Sequence, residues 1–301
     1  MSEYKLVLKR LWKQQNIMEQ TYRLLVPCPD RTRIFAKVSN FLATYNGWIT
    51  EASYHADQKN GWFFMRNEIK ASSIPFDLEN FKTVFEPIAK EFSMSWSISD
   101  SNTKKRVVLM ASKESHCLAD LLHRWHSNEL DAEIVAVISN HDDLRRMVEW
   151  HDIPYHHVPV DPQNKQAAFD QVSSLVDEYQ TDLVVLARYM QILPADLCET
   201  YAGRVINIHH SFLPSFAGAK PYHQAYDRGV KLIGATCHYV TQDLDEGPII
   251  DQDVIRISHS NTIEDMVRLG KDAEKNVLAR GLRLHLEERV IIHENKTVVF
   301  G

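Results

Sequence analysis

The sequence predicts an α/β protein in two parts: a ferredoxin-like βαββαβ unit over residues 21–100, then a Rossmann-like, mostly parallel sheet over residues 106–301. Three observations predict this. In the first part, strand-period and helix-period apolar segments follow one another as strand, helix, strand, strand, helix, strand. A polar, turn-rich stretch, Asp100-Ser-Asn-Thr-Lys-Lys105, then reads as a linker over 101–105. Beyond it, short continuous apolar runs alternate with helical segments, the pattern of a parallel sheet covered on both faces.

Residues 1–20 stand apart. Lys5, Lys9, Arg10 and Lys13 sit among Leu6, Leu8, Leu11 and Trp12, which fits either a basic amphipathic helix or a loosely ordered leader, with Met18 as an alternative start. Tyr22 to Val26 is a short strand that Pro27-Cys-Pro29-Asp30 is expected to break. Ile34, Phe35, Val38, Phe41 and Leu42 give a helix to Tyr45, closed by Asn46-Gly47, either of which takes a left-handed cap. Trp48–Ala56 and Trp62–Ala71 are partner strands around the turn signal Asn60-Gly61. Pro75–Phe92 is a helix with Phe76, Phe81, Phe85 and Ile88 inward, and Met94–Ser99 the last strand.

In the second part, strands are expected at Arg106–Ala111, Ile134–Ser139, Tyr155–Val158, Asp182–Ala187 and Val205–Ile208. Helices fall near His116–His126, Asp142–Trp150 and Asn164–Tyr179. Leu232–Thr241 and Ile249–Ile257 form an antiparallel pair, Thr262–Glu288 a long helix, and Val290–Phe300 a small hairpin.

Composition excludes several classes. A chain of 301 residues, 44% hydrophobic and 25% charged, suffices for two cores. The net charge of −6, without a basic stripe, argues against nucleic-acid binding. No apolar stretch approaches the ~20 residues of a membrane span, and no secretory signal is visible. Cys28, Cys117, Cys198 and Cys237 are scattered, with no C-x-x-C pair. Reduced thiols and a cytoplasmic location are therefore expected, not a disulfide framework or a zinc site.

The chemistry gathers in Val205-Ile-Asn207-Ile-His209-His-Ser211-Phe-Leu-Pro214 and Leu244-Asp245-Glu-Gly247-Pro-Ile-Ile. In an extended chain Asn207 and His209 share a face, at the carboxyl end of a strand where ligands bind in such sheets. An amide there donates to an oxyanion and an imidazole moves a proton, as acyl transfer requires. Asp245 would orient an imidazolium or polarise a water. His210 points the other way and is given a packing or polar role. Each residue also has a plain structural reading: a strand-end asparagine bonded to local backbone, a turn aspartate beside glycine. A metal needs three or four ligands at suitable spacing; neither His209-His210 nor His151, His156 and His157 makes that case, and no metal is expected. There is no phosphate loop after Arg106–Ala111, where the chain reads Ser112-Lys-Glu-Ser-His116-Cys117, and no G-x-S-x-G elbow.

Asn207-Ile-His209-x-Ser211-x-Leu213-Pro214, Gly234-Ala-Thr236-x-His238-Tyr-Val240 and Asp245-x-Gly247-Pro-Ile-Ile-x-Gln252 resemble the signature of the formyltransferases, which use 10-formyltetrahydrofolate. The likeness runs from about Lys105 to the C-terminus. It implies that Asn207, His209 and Asp245 are catalytic. It implies that Leu186, Met190, Gln191, Ile192, Leu193 and Gly247 contact substrate, with Leu186, Ile192 and Leu193 holding the pterin ring. No cofactor is implied; 10-formyltetrahydrofolate is the substrate.

Residues 21–100 resemble an ACT domain, a module that often binds amino acids and whose edge strands invite pairing between chains. An amino-acid effector and a homo-oligomer follow as expectations. Such domains usually carry a glycine after the first strand, where Arg33 stands here, so the effector site is recast or filled. An ACT domain ahead of this catalytic domain, without the glycine-rich loop of the amine-substrate enzymes or a C-terminal RNA-binding domain, implies water as acceptor. The expected reaction is hydrolysis of 10-formyltetrahydrofolate to tetrahydrofolate and formate, supplying formate for purine synthesis. Transfer to an amine, or a binding regulator with an idle site, are the alternatives.

Overall fold

The computed structural model describes residues 19–214 and 221–301. The leader helix considered above falls almost wholly outside them. The chain divides into two compact units between Thr103 and Lys104.

In the N-terminal unit the elements run β1 (Thr21–Pro29), α1 (Ile34–Thr44), β2 (Ile49–Asp57), β3 (Trp62–Lys70), α2 (Leu78–Phe92) and β4 (Ser97–Asp100), and the strands form one antiparallel sheet of order β2-β3-β1-β4. Tyr22, Leu24, Val26 and Cys28 alternate inward and pack with Val38, Phe41, Phe81 and Phe85 of the two helices. The prolines expected to break β1 do not: Pro27 pairs with Phe64 and Pro29 with Trp62. The backbone shows why. The Pro27 carbonyl accepts from Ser95 N at 2.9 Å on the β4 side. A strand residue's N and O point the same way, so the missing N–H groups face away from β3 and the ladder loses nothing. α1 closes with Asn46 at φ 59° and Gly47 N donating to Leu42 O at 2.8 Å, so asparagine is the left-handed residue. Arg33, at the start of α1, takes φ 77° and is exposed.

The second unit has a seven-stranded sheet of order β11-β10-β9-β8-β5-β6-β7. Its strands are β5 (Lys105–Ala111), β6 (Ala132–Ser139), β7 (Tyr155–His157), β8 (Leu183–Leu186), β9 (Val205–His209), β10 (Leu232–Tyr239) and β11 (Ile249–Arg256). β5 to β9 are parallel, and β10 and β11 extend the sheet antiparallel, as the sequence indicated. Alternate β5 residues enter two cores. Val107 and Leu109 pack under α3 (His116–His126), α4 (Arg145–Glu149) and α8 (Ile263–Leu286). Val108 and Met110 pack under α5 (Lys165–Glu178) and α6 (Ala195–Thr200). α7 (Pro221–Arg228) and the hairpin β12 (Val290–His293)–β13 (Lys296–Val299) complete the unit. α8 opens on a capping box between Thr262 and Asp265. α6 and α7 are absent from the sequence reading, and α4 is shorter than its Asp142–Trp150 estimate, because Asp142 to Leu144 form a turn.

Strand order reverses between β5 and β8, the place where α/β sheets bind ligands. Buried Ser112 ties the loops there together: its hydroxyl donates to Asn140 Oδ1 at 2.6 Å and accepts from Met190 N at 2.9 Å. All four cysteines are free and buried.

Candidate active site

A cleft of about 500 Å³ lies over the carboxyl ends of β8 and β9, and Asn207, His209 and Asp245 all line it. β9 places Asn207 and His209 on one face. The turn between β10 and β11 delivers Asp245 at φ 60°, a left-handed turn conformation that aspartate tolerates better than most residues. His209 Nδ1 lies 3.1 Å from Asp245 Oδ1. A carboxylate only accepts, so Nδ1 carries a proton, and in the neutral ring Nε2 presents the lone pair. That Nε2 is buried and has no hydrogen-bond partner among the described residues. Burial raises the Asp245 carboxyl, but the His209 bond, with His238 and His210 nearby, brings it below its ordinary value, so it stays ionised.

Asn207 is oriented by a residue the sequence reading left without a role. Antiparallel register sets His238 of β10 opposite Asn207. His238 Nδ1 donates to Tyr239 O at 2.9 Å, which leaves Nε2 to accept from Asn207 Nδ2 at 3.2 Å. Burial lowers the His238 pKa, so the ring is neutral and this pattern is fixed. One amide N–H of Asn207 is thereby held and the other remains for a ligand. Thr236 and Gln252 act at one remove. The Thr236 hydroxyl donates to Ser211 O at 2.9 Å and accepts from Leu213 N at 3.1 Å and Gln252 Nε2 at 2.9 Å, fastening the chain after β9 to β10 and β11.

Leu186, Met190, Gln191, Ile192 and Leu193 line the same cleft. Leu186 and Leu193 are buried, while Met190 and Ile192 are 54% and 66% exposed, and with Leu244 at 57% they form an apolar rim. Such a rim suits a flat aromatic ligand. Gly247 departs from expectation: it does not line the cleft. A Cβ there would lie 1.8 Å from Tyr239 O, so this glycine lets the turn carrying Asp245 pack on the β10 backbone. His210, expected to face away, also lines the cleft because β9 ends at His209 and the strand alternation stops. Burial, with Arg188 and His209 nearby, pushes its pKa down to about 4.

Among the described residues, one largely buried group brings ligand-type atoms together: His116, Cys117 and Glu274, within 4.8 Å of one another. The donors are committed elsewhere. Glu274 accepts from Tyr222 at 2.6 Å and meets His116 Nε2 at 2.8 Å and Arg188 Nε at 3.3 Å. Burial keeps the Cys117 thiol protonated, and a cation would face the Arg188 guanidinium. His151, His156 and His157 do not gather: His156 bonds the Tyr179 hydroxyl and His151 packs against Trp150 and His126.

An oriented amide, an imidazole held by a carboxylate and an apolar cleft, set on the strand ends of a parallel sheet, are the groups that an acyl-group-processing α/β enzyme needs. Comparison with known proteins specifies it. The formyl transferase family model matches residues 105–282. A formyltetrahydrofolate deformylase from Bacillus subtilis (strain 168) is 45% identical over 97% of this chain and 98% of its own. The crystal structure of a formyltetrahydrofolate deformylase from Pseudomonas syringae pv. tomato is 67% identical, with a TM-score of 0.94 over 98% of this chain and 100% of that one. A glycinamide ribonucleotide transformylase from Symbiobacterium toebii covers 66% of this chain at 28% identity and a TM-score of 0.60. The chain belongs to the formyltetrahydrofolate deformylase family.

Proposed function

We propose that this protein hydrolyses 10-formyltetrahydrofolate to tetrahydrofolate and formate. The observation that carries the reading is the buried, unpartnered His209 Nε2, backed by Asp245 at 3.1 Å and two residues from the oriented amide of Asn207. The pterin lies in the cleft against Leu186, Ile192 and Leu193, with Met190 and Gln191 beside it. His209 Nε2 takes a proton from water as its oxygen attacks the formyl carbon. Asn207 donates its free N–H to the alkoxide that forms, a contribution typically worth ~10²–10³ in rate. Asp245 stabilises the imidazolium. The proton then passes to N10, the C–N bond breaks, and formic acid leaves and ionises. The sequence of the N-terminal unit supports an ACT-like regulatory role and self-association. The scattered free thiols support a reducing, cytoplasmic setting, and the released formate suits purine synthesis.

The test is formate release by purified protein with no amine present, beside His209→Ala and Asp245→Asn. Steady turnover in wild type and losses of at least about 10²-fold in both variants are expected. A folded wild type that releases no formate, or an Asp245→Asn variant near wild-type rate, refutes the reading.

A further inference from the structure

Resting on that reading, the structure also points to what makes water the acceptor. The reversal of strand order between β5 and β8 is where an α/β sheet ordinarily opens a crevice for a reactant. Here side chains from four elements converge there: His116 at the start of α3, Arg188 just past β8, Tyr222 on α7 and Glu274 on α8. Glu274 is 1% exposed and both its oxygens are engaged, Oε1 by the Tyr222 hydroxyl at 2.6 Å and Oε2 by His116 at 2.8 Å and Arg188 at 3.3 Å. Burial raises its pKa, but His116, Arg188 and Tyr222 together bring it below its ordinary value, so it is a buried anion held by three partners. It cannot also serve as a base. Tyr222 is seated on α8 by Gly270, where a Cβ would lie 2.0 Å from its hydroxyl.

Arg188 connects this cluster to the chemistry. It lines the same cleft as Asn207, His209 and Asp245. His210, between cluster and cleft, lies with its ring 5.2 Å from that of His209 and 6.3 Å from that of Tyr222. Arg188 takes φ 66°, which glycine adopts freely and arginine does not. A long side chain is thus kept where the backbone favours none, and Glu274 anchors it.

We propose that Arg188, anchored by Glu274, plugs the crevice between the ends of β5 and β8 and is the residue that excludes amine acceptors. With the plug removed, an amine nitrogen attacks the formyl carbon in place of water. The N10–C bond breaks, one amine proton passes through His209 to N10, and the products are tetrahydrofolate and an N-formyl amine.

The experiment gives wild type and Arg188→Gly 10-formyltetrahydrofolate with increasing glycinamide, and quantifies formate and N-formylglycinamide together, corrected for the uncatalysed reaction. Glycine keeps the left-handed backbone without strain. The double variant R188G/E274Q, which also removes the carboxylate charge, carries the same prediction should Glu274 without its cation prevent folding. The ratio of formylated amine to formate is expected to rise roughly tenfold or more over wild type. Folded variants that release formate at an unchanged ratio overturn the proposal. So do folded variants that make neither product, since Arg188 would then serve hydrolysis itself. Wild-type formate release without amine, measured alongside, separates failure of the plug from failure of the hydrolase reading.

Discussion

Replacing Gly247 by alanine should perturb the proposed catalytic pair, His209 and Asp245, from outside the cleft that they line. The new Cβ would lie 1.8 Å from Tyr239 O, 2.9 Å from Tyr239 C and 3.3 Å from Thr241 Cγ2, against a tolerated minimum near 3.0 Å. The turn must therefore retreat by roughly 1.2 Å, since packed backbone cannot compress. That movement breaks the 2.9 Å bond from Tyr239 N to Pro248 O. It also carries Asp245, two residues upstream, off its 3.1 Å contact with His209. A displacement near 1 Å at a reacting group costs ~10² in rate, and the strain with one lost bond costs about 1–3 kcal/mol of stability. Enough stability remains for a folded protein at the usual 5–15 kcal/mol. Steady-state formate release should show kcat down about 100-fold with KM within about threefold of wild type, and denaturant unfolding should show the modest destabilisation. A kcat within about threefold of wild type refutes the reasoning. A loss carried by KM would return Gly247 to direct substrate contact.

Two further outcomes follow from the same geometry. His238→Ala frees the Asn207 amide to rotate, and kcat should fall roughly tenfold or more. The pH profile should keep its shape, because burial already holds His238 neutral; a displaced acid limb would contradict this. Stability should fall as pH drops from 6.5 toward 4, since burial pushes His210 to about 4 and His285 to about 3 while the unfolded chain takes up protons near 6.5. The slope is at most ~1.4 kcal/mol per pH unit per histidine, and less in practice because both His210 and His285 are partly exposed. Asp245 and Glu274, held below their ordinary values, begin to lose their contributions from about pH 5, where the unfolded chain's carboxylates start to take up protons, and add to the fall below it. Urea midpoints at several pH values measure the slope, His210→Asn should reduce it, and a flat wild-type profile would count against the assignment.

That Asn207, His209 and Asp245 share one cleft was legible because strand alternation is local: Asn207 and His209 are two apart, and a glycine turn marks Asp245. Alternation failed one residue later, at His210, where the strand stops. Proline rules misjudged Pro27 and Pro29 because they ignore which side of a strand has a neighbour. α6 and α7 were too short and polar to carry a period. The cluster around Glu274 was invisible in principle: His116 lies 158 positions away, and only the closure of α8 over the sheet brings the two together.

Burial raises the pKa of every cysteine thiol, that of Cys28 to about 11. Only the thiolate reacts, so labelling must wait for local or global opening. Cys28 belongs to the N-terminal unit and Cys117, Cys198 and Cys237 to the other. The molecule thus carries an internal clock in each half, and alkylation rates read position by position record how often each half breathes, with no probe added.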